Sequence, residues 1–152
     1  MNEHGKNLRL GRFSEIGRYY LLTTASSQRI PIFHDFISAR LLICSMMNLE
    51  QKGLLTSQAF VVMPDHIHWL VELKDKSLST IMNQLKGASA RRIQQYRGSA
   101  GHLWQAGFHD HVLRRDEDLI AVGRYIVDNP VRAGLVTRAM DYPHWDAIWY
   151  QP

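Results

Sequence analysis

The sequence has little cysteine and no long apolar run, and both absences narrow the class of protein. A single cysteine among 152 residues, Cys44, excludes a fold held by intrachain disulfides. No stretch of about 18 consecutive apolar residues occurs, so no segment predicts a transmembrane helix. The first residues, MNEHGKNLRLGRF, lack the apolar core of a secretory signal, which predicts a cytoplasmic protein. Cys44 lies in the apolar stretch LLICSMM, and we expect it to be buried and unreactive.

Internal repeats, low-complexity tracts and interdomain linkers are also missing, which favours a single domain. The content of 45% hydrophobic and 21% charged residues is typical of a globular chain. Lysine and arginine total 18 against 14 acidic residues, which gives a net charge of +4. Arginine's planar guanidinium matches phosphate oxygens, so the excess of positive charge is a first indication of a nucleic-acid partner. Many basic domains bind no nucleic acid, and charge alone does not decide the partner.

The order of strand-like and helix-like segments predicts the fold. Alternating or β-prone runs predict strands, and a 3.6-residue apolar period predicts helices. The predicted strands cover 18–24, 58–63, 66–73 and 103–113, with an irregularity at Gly107, and the predicted helices cover 34–52, 77–97 and 118–129, the last ending at Pro130. Strand, helix, strand, strand, helix, strand is the order of a ferredoxin-like (RRM-like) split βαβ sandwich. We therefore expect an α+β fold with an antiparallel sheet, two helices on one face and an added C-terminal helix.

Two histidines stand one residue apart in the third predicted strand, in the stretch MPDHIHWL. Residues i and i+2 of a strand lie about 6.5–7 Å apart on one face, so His66 and His68 can converge on a cation. Ile67 and Trp69 point to the opposite face, which we expect to be the core. A polar strand face is the more ordinary explanation of His-x-His, and two ligands are fewer than a catalytic metal site usually has. His109 and His111 repeat the spacing, and we favour a structural interpretation because no tyrosine accompanies them.

The last predicted helix carries Tyr125 and Asn129, which are four residues apart and so lie one turn apart on one face. If this helix crosses the open face of the sheet, Asn129 can complete a metal shell while Tyr125 serves as a nucleophile. The alternative is that Tyr125 packs against the sheet together with Ile126. Pro130 also counts against Asn129, because a residue before proline is disfavoured in helical geometry.

Four landmarks, MPDHIHWL, LKGASARRI, LWQAGFHDHVLR and RYIVDNPVRAGLV, resemble the REP-associated tyrosine transposases. These are relatives of the single-tyrosine transposases within the HUH nuclease superfamily. The resemblance covers residues 18–136, preceded by a basic arm, 1–17, and followed by an aromatic tail, 137–152. It implies a domain that cleaves and rejoins single-stranded DNA next to palindromic, REP-like hairpins.

Carried over residue by residue, the resemblance also implies an active site. His66 and His68 match the histidine pair that holds Mg²⁺ or Mn²⁺, and Tyr125 matches the nucleophile. Asn129 matches the position of a third polar ligand. Attack by Tyr125 on the scissile phosphate would give a 5′-phosphotyrosine and a free 3′-OH, and the covalent bond would allow rejoining without ATP.

The residues that contact DNA are less clearly indicated. Basic residues of the arm and of two later segments are the candidates for phosphate contacts, and they are Lys6, Arg9, Arg12, Arg18, Lys86, Arg91, Arg92, Arg97, Arg114, Arg115 and Arg132. The aromatic tail, with Tyr142, Trp145, Trp149 and Tyr150, offers rings that either stack on unpaired bases or cover a sheet edge or core.

Two other functions use the same features. A non-catalytic RRM-like nucleic-acid-binding module would need the fold and the basic surface but neither Tyr125 nor a metal. A zinc hydrolase would use the histidines with an activated water and would leave no covalent protein–DNA species. The sequence leaves open whether the protein is a monomer or a homodimer, and a bacterial cytoplasmic, nucleoid-associated location is expected.

Overall fold

A five-stranded antiparallel sheet forms the centre of the molecule. The structure is a computed structural model and describes residues 14–114 and 119–149. The strands in chain order are β1 (Tyr19–Ala25), β2 (Leu55–Met63), β3 (His66–Leu73), β4 (His109–Val112) and β5 (Trp145–Ala147). Their order in space is β4, β1, β3, β2, β5. The first four strands have the ferredoxin-like order, so the predicted fold class is confirmed.

Two helices, α1 (Phe36–Gln51) and α2 (Leu78–Arg97), pack on one face of this sheet. The Asp35 carboxylate caps α1 by accepting from the Ser38 amide at 2.9 Å, and the Ser77 hydroxyl caps α2 by accepting from the Thr80 amide at 3.1 Å. The main core lies between this helix pair and the sheet. It includes Ile67 and Trp69 of β3, which confirms that the face opposite the histidines is buried.

The buried face of α1 does not include Cys44, which was expected to be buried. Ala39, Leu42 and Met46 are fully buried in the core, whereas Cys44 is exposed. The expectation that Cys44 is buried is therefore wrong. This helix is apolar on more than one side, so the 3.6-residue period fits two faces equally well. Contact with the sheet and α2 decides between them.

The fourth strand is shorter than predicted. Only His109–Val112 pairs with β1, whereas residues 103–113 were expected to be extended. Trp104 and Phe108 turn into the core instead, and Trp104 Nε1 donates to the buried Ser89 hydroxyl at 3.0 Å. Gly107, at a positive φ of 77°, lies in the bend between them.

The second face of the sheet is partly covered by the helix α3 (Leu119–Val127) and by the aromatic tail. Ile126 packs with Val61, Leu70 and Ala147 in a smaller core. The tail extends the sheet, because β5 pairs with β2. Trp149 lies over α3, where a Cβ added at Gly123 would come within 2.3 Å of the indole. Of the two interpretations of the tail, covering a sheet edge and core is the one its described residues adopt.

The end of α3 differs from the prediction of one helix up to Asn129. This helix ends at Val127, and α4 (Asn129–Arg132) is a separate short helix that contains Pro130 near its start. Proline is tolerated in a first turn, where its missing N–H has no helical partner. The chain therefore continues through Pro130 after a break at Asp128.

Several predicted features lie outside the described residues. They are the basic arm with Lys6, Arg9 and Arg12, together with Arg115 and Tyr150. In the part of the chain that the structure describes, no helix is long and apolar enough to cross a membrane.

Candidate active site

The register of the sheet places Thr23 of β1 directly opposite His68 of β3. The Thr23 Oγ1 atom lies 2.9 Å from His68 Nδ1, which makes a hydrogen bond between the hydroxyl and this ring nitrogen. The bond fixes the plane of the imidazole and leaves Nε2 as the nitrogen available to a ligand. Outer partners of this kind orient metal-binding histidines in proteins.

The imidazole of His66 is held by the residue that precedes it. His66 Nδ1 lies 2.8 Å from Asp65 Oδ1, and the second carboxylate oxygen accepts from Arg29 Nε at 2.9 Å. Burial raises the pKa of Asp65, but the hydrogen bond with His66 and the charge of Arg29 outweigh this effect, and the net pKa lies below its usual value. An ionised Asp65 accepts the proton of Nδ1, so Nε2 is the nitrogen of His66 left for a ligand.

The two rings meet edge to face, with centroids 4.9 Å apart and planes at 82°. Burial, and to a smaller extent the neighbouring His66, Arg132 and Arg29, together lower the pKa of His68 to about 4. His68 is therefore neutral at pH 7, the form in which imidazole binds a metal.

This donor set fits a divalent cation that keeps positions open. Two imidazoles with oriented Nδ1 atoms provide two ligands. Residues 14–114 and 119–149 contain no group of three or more histidine, cysteine, aspartate or glutamate side chains placed to hold a metal. Asn129 is half-buried at the start of α4 and stays a predicted third ligand. Water and substrate oxygens would have to supply the remaining positions.

Tyr125 projects outward from α3 instead of packing against the sheet. Its side chain is 60% exposed, whereas its neighbour Ile126 is buried in the smaller core. The alternative in which Tyr125 packs with Ile126 against the sheet is therefore not what the structure adopts. An exposed phenol is open to a substrate.

Arg132 connects Tyr125 with the histidine pair. Its guanidinium carbon lies 3.8 Å from the centre of the Tyr125 ring, and one Nη atom donates to the Tyr125 carbonyl at 2.6 Å. Its charge is among those that lower the pKa of His68. Ile126 of α3 packs with Leu70, which shares its strand face with His68, so α3 lies on the histidine side of the sheet.

The structure places the other predicted phosphate contacts in several regions. Arg91, Arg92 and Arg97 lie on α2, which packs on the sheet face opposite the histidines. The Lys86 ammonium donates to the backbone carbonyls of Gln105 and Gly107, where it holds the loop before β4. Arg18 donates to the Leu113 carbonyl at 3.2 Å, near the start of β1. Arg114 is exposed after β4. Arg132, in contrast, lies beside Tyr125.

His109 lies on the histidine face, two strands away from His68. It pairs with Thr23, which in turn pairs with His68, while His111 pairs with Leu21. Opposite residues in an antiparallel pair share a face, so His109 lines the same side of the sheet at about 10 Å from His68, two strand spacings away.

Sequence patterns missed three residues of this site, namely Thr23, Arg29 and Asp65. Asp65 directly precedes the histidine pair, and an acidic neighbour of a predicted ligand is a signal that could have found it. Thr23 and Arg29 are more than 35 positions from their partners in the chain, and only strand pairing and the loop after β1 bring them together.

Comparison with known proteins identifies the family. A family model described as IS200-like transposase matches residues 17–129. The chain is 33% identical over 99 residues to a REP-associated tyrosine transposase of Haemophilus influenzae, covering 57% of this chain and 55% of that protein. It is 30% identical over 89 residues to a REP-associated tyrosine transposase of Escherichia coli, covering 56% of this chain and 50% of that protein. The chain thus spans about half the length of the curated relatives it matches.

Two solved structures have a similar fold. One, a REP-associated tyrosine transposase bound to a REP hairpin, superposes with a TM-score of 0.72 at 23% identity, over 88% of this chain and 79% of that one. The other, described as a transposase from Deinococcus radiodurans, gives 0.55 at 25% identity, over 78% of this chain and 95% of that one. Because the family model matches most of the length of this chain, the chain belongs to the IS200-like transposase family. The resemblance to the REP-associated tyrosine transposases predicted this family.

Proposed function

We propose that this chain is a metal-dependent, single-tyrosine endonuclease and strand transferase that cleaves and rejoins single-stranded DNA next to palindromic, REP-like hairpins. Family membership supports a transposase role, and a protein of the same fold is described as bound to a REP hairpin. The observation that carries the chemistry is the position of Tyr125, which is exposed beneath Arg132 on a helix that packs on the histidine face of the sheet.

In this proposal His66 and His68 bind Mg²⁺ or Mn²⁺ through their Nε2 atoms, with Asn129 as a third ligand. Manganese suits imidazole better than magnesium does. Such an ion would polarise an oxygen of the scissile phosphate and stabilise the departing 3′ oxygen. Hydrogen bonds of the Nδ1 atoms with Asp65 and Thr23 keep both rings oriented, and Nε2 of each ring is the nitrogen left for the ion.

Tyr125 then attacks phosphorus with its phenolic oxygen. A bond from this oxygen to phosphorus forms while the bond from phosphorus to the 3′ oxygen breaks. The proton that the phenol loses is balanced by the proton that the 3′ oxygen gains. A 5′-phosphotyrosine and a free 3′-OH result, and attack by a 3′-OH reverses the step, so rejoining needs no ATP.

Arg132 contributes both position and charge to this step. Its stacking on the ring and its bond to the Tyr125 carbonyl hold the tyrosine at the end of α3. Its positive charge favours approach of an anionic phosphate to the same place. Both effects bring the phosphate and the phenol together, which is how positioning lowers an activation barrier.

The test uses the protein with Mn²⁺ and an end-labelled single-stranded DNA hairpin. We expect a covalent protein–DNA adduct that resists denaturation and is absent with Tyr125→Phe. Cleavage that persists in Tyr125→Phe would contradict the nucleophile assignment and indicate a metal-activated water. Binding without cleavage under all metal conditions would indicate the non-catalytic nucleic-acid-binding module.

Zinc hydrolysis is less well supported. A catalytic zinc usually takes three histidine, cysteine or carboxylate ligands, and the described residues bring no such group together. We further propose a cytoplasmic, nucleoid-associated location, since the proposed substrate is chromosomal DNA. The protein would act as a monomer or a homodimer.

A further inference from the structure

The loop after β1 holds an arginine that no step of the proposed chemistry uses. Gln28 and Arg29 both have φ near +55°, in the left-handed region that non-glycine residues rarely occupy. Residues in this region are strained and persist only where the surrounding structure enforces them. Two in succession, close to the histidine pair, indicate that the position of Arg29 is under constraint.

Hydrogen bonds tie this loop to the turn that precedes His66. The amide of Ser26 donates to the Asp65 carbonyl at 2.9 Å, and the amide of Phe33 donates to the Pro64 carbonyl at 2.9 Å. The Ser26 hydroxyl, which is fully buried, bonds the carbonyls of Ile30 and Asp65 at 2.7 and 3.2 Å. These bonds hold the loop of Arg29 against the turn that leads into β3.

The guanidinium of Arg29 is only partly used by the protein. Its Nε donates to Asp65 Oδ2 at 2.9 Å, which fixes the plane of the group. The two Nη groups have no protein partner within residues 14–114 and 119–149, and the side chain is 55% exposed. A guanidinium fixed at Nε presents its remaining N–H donors in a rigid fork, the geometry that suits two phosphate oxygens.

We propose that Arg29 binds a phosphate of the DNA strand at the histidine pair through its two free Nη groups, while its Nε anchors it to Asp65. The proposal rests on the function proposed above, to which it adds a substrate-binding residue. Arg29 and Arg132 would then approach the substrate from the loop after β1 and from the end of α4.

The experiment compares Arg29→Gln and Arg29→Lys with Arg138→Gln as a matched control. Arg138 is also an exposed arginine whose Nε faces a carboxylate, with 3.6 Å to Asp141 Oδ2. Binding of a single-stranded hairpin DNA is measured in a Tyr125→Phe background between 50 and 200 mM salt. Adduct formation is measured with Tyr125 present, at saturating Mn²⁺ and DNA, and circular dichroism checks the fold.

We expect Arg29→Gln to weaken binding several-fold and to reduce the slope of log K against log salt by about 0.7, the value for one single-strand phosphate contact. The rate of adduct formation should fall by about tenfold. Arg29→Lys should keep the salt slope of binding, because it keeps the positive charge. It should form the adduct more slowly, because lysine lacks the forked guanidinium and the Nε atom that bonds Asp65. Arg138→Gln should behave like the parent protein in both assays.

A salt slope for Arg29→Gln equal to that of Arg138→Gln would overturn the proposal and leave Arg29 acting only through Asp65. If Arg29→Gln does not fold, an Arg29→Lys variant with an unchanged rate would overturn it as well. Adduct formation by the parent protein alongside such a result would leave the proposed function intact. A parent protein that forms no adduct but whose hairpin binding depends on Arg29 would contradict the nuclease and support the phosphate contact. Absence of hairpin binding would overturn both.

Discussion

The guanidinium of Arg132 lies 3.8 Å from the centre of the Tyr125 ring and donates to the Tyr125 backbone carbonyl at 2.6 Å. Replacing Arg132 with alanine removes a cation–π contact of about 0.5–1 kcal/mol and a hydrogen bond of about 1 kcal/mol. We expect the rate of adduct formation to fall by about tenfold in a quenched time course with labelled hairpin DNA. Arg124→Ala, an exposed cation one residue before Tyr125, is the control, and an equal loss in both variants would contradict a specific role for Arg132.

The histidine pair should be required for cleavage and dispensable for binding. His66→Ala and His68→Ala each remove one of two imidazole ligands, so we expect no detectable adduct with Mn²⁺ while hairpin binding stays within a few-fold of the parent protein. Electrophoretic mobility shift and denaturing gels measure the two properties. His102→Ala, which alters an exposed histidine, should leave both unchanged. Unfolding of the two variants would instead indicate that the histidines are structural.

Thr23 should influence metal affinity without contacting the metal. Its hydroxyl orients His68 from 2.9 Å, and loss of such an outer partner typically costs 10–100-fold in affinity. Thr23→Val keeps the shape and removes the hydrogen bond, so we expect about tenfold weaker Mn²⁺ binding by titration calorimetry. Thr23→Ser restores the hydroxyl and should recover most of it. Equal affinity in the valine and serine variants would show that the bond does not orient the ligand.

Two helical glycines should respond in opposite ways to alanine. At Gly123 an added Cβ would lie 2.3 Å from the ring of Trp149, so the indole must move, whereas at Gly87 nothing lies within 4 Å. We expect Gly123→Ala to lower the free energy of unfolding by about 1–3 kcal/mol through overpacking. Gly87→Ala should raise it by about 0.5–1 kcal/mol, because alanine favours the helix. Urea denaturation measures both, and a stabilising Gly123→Ala would mean that Trp149 does not pack there.

Tyr142 should make stability depend on alkaline pH. Its hydroxyl donates to the Val62 carbonyl at 2.5 Å, and burial raises its pKa to about 12 from an ordinary value of 10.0. The folded state therefore keeps the proton where the unfolded state loses it. This contribution is complete below pH 10 and is lost as the pH rises from 10 to 12. Between those values the free energy of unfolding should fall more steeply for the parent protein than for Tyr142→Phe, and parallel curves would contradict the pKa shift.

Local patterns were sufficient for the elements that have one buried face. The strand 66–73 begins and ends where its alternation predicted, and the order of strands and helices led to the correct fold class, although the fifth strand, β5, was not predicted. The pattern failed in α1, which is apolar on more than one side, so that Cys44 is exposed where burial was expected. The pattern also failed near Pro130. One helix was predicted to run to Asn129, whereas α3 ends at Val127 and the short helix α4 begins at Asn129.

The sequence by itself determined the fold class, the family and the candidates His66, His68 and Tyr125, because alternation, helical period and the four landmarks are local properties. Only the tertiary structure decided which groups surround them. Antiparallel pairing brings Thr23 to His68, the strained loop brings Arg29 to Asp65, and the packing of Ile126 turns Tyr125 outward beside Arg132. Thr23 and Arg29 are remote in the chain from the groups they contact, and their contacts depend on strand register and on burial, which are settled only when the whole chain folds.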